Sequence, residues 1–81
     1  MEEWIFEHEG STILVRNGKT VELLINGVCQ DSVKGICLKA ELNGTLPSGR
    51  KVKARLGGVL EVECTLSVDG EILRPTASPV R

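Results

Sequence analysis

Aromatic residues are nearly missing from this chain: Trp4 and Phe6 are the only two in 81 residues, and there is no tyrosine. A surface that stacks bases or sugar rings has just these two to draw on. Histidine is scarce as well. His8 stands alone, and the three cysteines, Cys29, Cys37 and Cys64, form no Cys-x-x-Cys pair, so the spacing of a structural zinc site is lacking. No apolar run approaches the roughly 18 residues that suggest a membrane span. Neither sign of charge dominates: ten Lys+Arg face eleven Asp+Glu for a net charge of −1, which argues against duplex DNA as a partner. Gly-x-Ser-x-Gly, Gly-x-Gly-x-x-Gly and the phosphate-cradling Gly-x-x-x-x-Gly-Lys-(Ser/Thr) are all missing. No enzyme, cofactor or small-molecule substrate is expected.

An odd number of cysteines fits a reducing compartment, where free thiols behave as small buried hydrophobes. The opening Met1-Glu2-Glu3-Trp4 is acidic where a secretory leader needs positive charge followed by an apolar stretch. A cytoplasmic location is the expectation. A chain of this length forms one domain that hides only about 60% of its unfolded surface, with a total stability of roughly 4–12 kcal/mol. Little room is left for a deep pocket.

What is present is turn chemistry. Seven of the nine glycines sit in Asn17-Gly18, Asn26-Gly27, Asn43-Gly44, Ser48-Gly49, Gly57-Gly58 and Asp69-Gly70, with runs rich in Val, Ile, Leu and Thr between them. Asn-Gly and Asp-Gly supply the positive φ that tight hairpins need. The pattern predicts an all-β fold, an antiparallel meander of hairpins packed as a small β-sandwich, with a small β-barrel as the alternative. The domain is expected over residues 1–74. Residues 75–81, with two prolines and no apolar period, are expected as a flexible tail.

Charge and polarity set the expected registers. A three-residue loop of Gly57, Gly58 and Val59 pairs Arg55 with Glu61, Lys53 with Glu63, Ala54 with Val62 and Val52 with Cys64, sorting charged from apolar positions. A three-residue loop including Lys19 likewise sets Val15 opposite Val21 and Ile13 opposite Leu23. Asn26-Gly27 joins Leu23-Leu24-Ile25 to Val28-Cys29, and Asp69-Gly70 joins Leu66-Ser67-Val68 to Glu71-Ile72-Leu73. These two hairpins echo one another as Leu-x-(Ile/Val)-(Asn/Asp)-Gly. Residues 31–42 fit a helix face of Val33, Ile36, Cys37 and Ala40, but the alternation of Ile36, Leu38, Ala40 and Leu42, with Gly35 inside, fits a strand better.

Two groups of residues are candidate sites. Trp4, Phe6 and His8 share one face of a strand, either as an aromatic platform or as bulk for a core built otherwise from Leu, Val and Ile. Lys51, Lys53 and Arg55 share a face of another, either as an anion-binding stripe or as a solvated face matched by Glu61 and Glu63.

Val52-Lys53-Ala54, the turn at Gly57-Gly58 and Cys64-Thr65-Leu66-Ser67-Val68-Asp69-Gly70-Glu71-Ile72 resemble the closing strands of the Fas apoptosis inhibitory molecule family, whose pattern there is Lys-Ala, a glycine turn, then Leu-x-Val-Asp-(Gly/Asn)-x-x-Ile. Trp4-x-Phe6 and Val21-x-Leu23-x-Ile25-Asn26-Gly27 are similar to small bacterial proteins with the same strand, Asp-Gly, strand style. The resemblance implies a compact β-sandwich that acts through protein contacts, with no catalytic residues. The expected function is a protein-interaction or structural module that self-associates as a homodimer, because an exposed sheet edge is commonly covered by a second copy. The alternative is a small barrel that binds single-stranded nucleic acid through Lys51, Lys53 and Arg55, with Trp4 or Phe6 stacking.

Overall fold

The computed structural model describes residues 2–34, 39–57, 63–75 and 77–80. Among the described residues nine strands follow in chain order: β1 (Glu2–His8), β2 (Ser11–Asn17), β3 (Thr20–Ile25), β4 (Val28–Lys34), β5 (Lys39–Thr45), β6 (Lys51–Gly57), β7 (Glu63–Val68), β8 (Glu71–Leu73) and β9 (Ala77–Val80). They form two antiparallel sheets, β4-β3-β2-β1-β9 (sheet A) and β5-β6-β7-β8 (sheet B), which are not closed into a barrel. The fold is the expected small β-sandwich, and the described part of residues 31–42 is strand: β4 to Lys34 and β5 from Lys39.

Period-two alternation builds the core. Trp4 and Phe6 of β1, Ile13 and Val15 of β2, and Val21, Leu23 and Ile25 of β3 are buried against Leu42 of β5, Val52, Ala54 and Leu56 of β6, and Leu66 and Val68 of β7. Each large side chain taken fully out of water contributes about 1.5–3 kcal/mol. In an 81-residue domain both aromatics are committed to that task, Trp4 at 4% and Phe6 at 0% exposure.

Among the described residues three two-residue turns have both central residues at positive φ, as a type I′ hairpin requires: Glu9 (50°) with Gly10 (76°), Asn26 (51°) with Gly27 (82°), and Asp69 (49°) with Gly70 (84°). The echoed pair is a structural echo too. Asn26 Oδ1 accepts from Thr12 N at 3.0 Å while Asn26 N donates to Thr12 O at 2.9 Å. Asp69 Oδ1 accepts from Lys51 N at 2.9 Å while Asp69 N donates to Lys51 O at 2.8 Å. Each turn thereby latches the strand two places back in its own meander, so β2-β3-β4 and β6-β7-β8 are built alike.

Four expectations need correction. Val15 lies opposite Leu23 and Ile13 opposite Ile25, a two-residue shift from the expected pairing, and the pair nearest the turn is Asn17 with Val21. Between β6 and β7 the shift is four residues: Val52 pairs with Val68, Lys53 with Ser67 and Leu56 with Cys64. Both shifts are even, so each side chain keeps its face while the cross-strand partners change. Glu61, Val62 and the turn residues Gly58 and Val59 lie outside the described residues, as do Gly35, Ile36, Cys37 and Leu38. Asn43-Gly44 is no turn but the interior of β5. Finally, the backbone of Ala77–Val80 forms β9 beside β1 where a tail was expected, an edge position in which a proline's missing N–H is tolerated.

Asn43-Gly44 is explained by β4. Its pairing with β3 slips between Leu24, opposite Cys29, and Leu23, opposite Asp31, so Gln30 is the extra residue of a bulge. The bulge delivers two side chains to the free edge of β5: Asp31 Oδ2 accepts from Asn43 N at 3.0 Å, and Gln30 Oε1 from Thr45 N at 3.4 Å. Gly44 lies directly beneath, where a Cβ would stand 2.9 Å from Gln30 Cβ and 3.2 Å from Leu23 Cδ2. The two sheets are joined at this corner.

Candidate interaction surface

Once the inner faces are packed together, chemistry is left to the outer faces, the edges and the loop ends. On the outer face of sheet B, β6 presents Lys51, Lys53 and Arg55 to solvent, as the alternation requires. Of the expected partners of this stripe, Glu61 lies outside the described residues and Glu63 lies opposite Gly57; Glu41 of β5 instead sits between two of the cations, 3.7 Å from Lys53 Nζ and 3.6 Å from Arg55 Nε. A notch of about 460 Å³ opens at this end of the sheet, where Lys39, Glu41, Arg55, Glu63 and Thr65 surround Ala40, Leu56 and Gly57. Trp4 and Phe6 are buried in the core, so the structure does not bring the basic stripe and the aromatics together.

The titratable groups are dispersed. Glu9, at the β1-β2 turn, binds Arg50 of the loop before β6 through Oε1 at 2.9 Å. His8 Nε2 is buried 3.1 Å from the same oxygen, without a hydrogen bond. Among the described residues no three His, Cys, Asp or Glu side chains gather as a metal would require, and no helix is long and apolar enough to cross a membrane.

The two described cysteines differ. Cys29 is exposed, whereas Cys64 packs against the core, and burial pushes its thiol up from 9.0 to about 12. Because the thiolate is the nucleophile, a maleimide at pH 8 should label Cys29 far faster than Cys64 in the native protein. Similar rates by peptide mass mapping would refute that placement. The raised folded pKa means the native state holds the Cys64 proton more tightly than the unfolded chain does. This contribution to stability is intact below about pH 9 and is lost as the pH rises toward 12.

The outer face of sheet A is unlike that of sheet B. Strands β1, β2 and β3 each carry an apolar triplet, Trp4-Ile5-Phe6, Ile13-Leu14-Val15 and Leu23-Leu24-Ile25, whose first and third members are buried in the core. The middle member must then point outward. Register brings these middle residues into one line: Ile5 opposite Leu14, Leu14 opposite Leu24, and Leu24 opposite Cys29. All three aliphatic residues are part-exposed, and none belongs to the inner core or the side chains packed on it. Beside this row runs a second, of alternating charge: Glu3 opposite Arg16 and Arg16 opposite Glu22, with Arg16 Nε donating to Glu3 Oε2 at 2.9 Å and Arg16 Nη1 3.7 Å from Glu22 Oε1.

Neither a family model, nor a curated protein, nor a solved structure matches this chain. The surface has to be judged on its own geometry. The stripe of Lys51, Lys53 and Arg55 was legible from spacing alone. The row of Ile5, Leu14 and Leu24 was signalled too: a strand with three successive apolar residues must expose the middle one once the other two are buried. What the sequence did not reveal was that three such residues align.

Proposed function

We propose that the protein is a small non-enzymatic protein-interaction module whose contact surface is the outer face of sheet A. The observation that carries this reading is the aligned row of Ile5, Leu14 and Leu24. Exposed apolar residues scattered singly are ordinary, but a contiguous apolar strip with a polar rim is the usual composition of a contact site. The edges support the same reading. The free N–H groups of Asn43 and Thr45 on β5 are taken by Asp31 and Gln30, β8 has three residues, and β9 contains Pro79. These three edges discourage strand addition, and β4, the remaining edge, is interrupted by the bulge at Gln30, which favours the face over the edge as the contact.

A photo-crosslinking residue placed at Leu14, and in a second variant at Thr65 on the opposite outer face, tests this in native lysate once circular dichroism shows both variants folded. Adducts are expected from position 14 above the level at position 65. Equal yields, or a preference for position 65, would overturn the assignment of the face.

A further inference from the structure

We infer that the partner of the sheet A face is a second copy of the same chain, packed face to face about a two-fold axis that runs parallel to the strands between β2 and β3. The inference rests on the proposed contact face and adds the identity and register of what covers it.

The charge row is the reason. A face-to-face pair with its axis along the strands sets each row against itself in reverse order. Were the axis centred on β2, Arg16 would meet the partner's Arg16. Moved half a strand spacing toward β3, the same operation lays Arg16 over the partner's Glu22 and Glu22 over the partner's Arg16. Leu14 then lies over the partner's Leu24, and Ile5 over the partner's Cys29. A row that alternates Glu3, Arg16, Glu22 is thus self-complementary when offset by one strand, and the neighbouring apolar row is brought onto itself by the same movement. An isologous contact of this kind closes at two copies.

Size sets the strength. Four strands about 4.8 Å apart, each presenting six or seven residues at about 3.4 Å, offer a footprint near 400 Å² per copy, at the low end of biological interfaces. The dimer is therefore weak and concentration-dependent, with a Kd between about 10 µM and 1 mM.

Sedimentation equilibrium of the full chain from about 10 µM to 1 mM provides the test. The wild type should pass from monomer to dimer without larger species. Arg16→Glu makes the row uniformly negative and Glu3→Arg/Glu22→Arg makes it uniformly positive; each should raise Kd at least tenfold while circular dichroism stays native. An equimolar mixture of the two should recover a heterodimer. Lys53→Glu, which adds negative charge to the opposite face, serves as the control and should pair with the positive variant more weakly than Arg16→Glu does, since its own Arg16 meets the arginine at position 22. A wild-type monomer at 1 mM, variants that dimerise as the wild type does, or equal pairing by the Lys53→Glu control would each overturn the two-fold contact. Should the wild type prove monomeric while position 14 still crosslinks to another protein, the contact face stands and only its homotypic partner falls.

Discussion

Phe6→Ala should remove about a quarter or more of the stability of the domain. Phe6 is fully buried at the centre of β1, opposite Ile13, and is one of only two aromatic residues in the core. Truncation of a buried phenylalanine to alanine costs about 3–5 kcal/mol in transfer and cavity terms. The whole domain has roughly 4–12 kcal/mol to lose. With a shift of about 4–8 °C per kcal/mol for a domain of this size, the melting temperature should fall by at least about 10 °C and as much as about 40 °C. Phe6→Leu, which keeps most of the volume, should cost much less. The readout is thermal unfolding followed by Trp4 fluorescence, since Trp4 is 4% exposed and its emission should move to the red when the sandwich opens. A loss below about 1 kcal/mol for the alanine variant would mean that Phe6 is not a core residue.

The residues that make Phe6 predictable also show how far the sequence could be followed. Alternation put Trp4 and Phe6 on one face of their strand and grouped Ile13 and Val15 with Val21 and Leu23, because a period of two assigns a face to every position once one is assigned. It left the register open. Sliding β2 against β3 by two residues, or β6 against β7 by four, keeps every face and changes only the cross-strand partners, so the pairing of Lys53 with Glu63 was as consistent with the pattern as the observed pairing with Ser67. Turn chemistry was legible where the side chain itself closes the turn, as at Asn26 and Asp69, whose Oδ1 atoms bind the neighbouring strand. At Glu9-Gly10 no such signal exists: the glutamate holds a φ of 50° while its carboxylate is bound to Arg50, forty-one positions along the chain. The contact face needed both kinds of information. Ile5, Leu14 and Leu24 are each identifiable as outward-facing, but only the actual registers put them in line beside Glu3, Arg16 and Glu22.

Gly44 marks the point where a local reading failed for a tertiary reason, and the second large effect is expected there. Asn43-Gly44 has the composition of a tight turn, yet Gly44 sits inside β5 and is not among the positive-φ glycines. Its lack of a side chain serves close approach. A Cβ at this position would stand 2.9 Å from Gln30 Cβ and 3.1 Å from Gln30 Cγ. Because Gln30 Cβ is fixed to the bulge of β4, rotating its side chain gives no relief, and the strand itself must move. Gly44→Ala should therefore destabilise the protein by about 1–3 kcal/mol, the usual cost of overpacking, and loosen the corner at which Gln30 and Asp31 close the edge of β5. Gln30→Gly removes the opposing Cβ at the cost of the bond to Thr45 N. In that background Gly44→Ala should cost less than half as much, a coupling expected of residues in direct contact. Were Gly44 instead a turn glycine requiring a left-handed backbone, its substitution would cost the same with or without Gln30. Urea unfolding of the four proteins of this cycle decides between the two: equal costs in both backgrounds, or a single-variant loss under about 0.5 kcal/mol, would show that the bulge does not bear on Gly44.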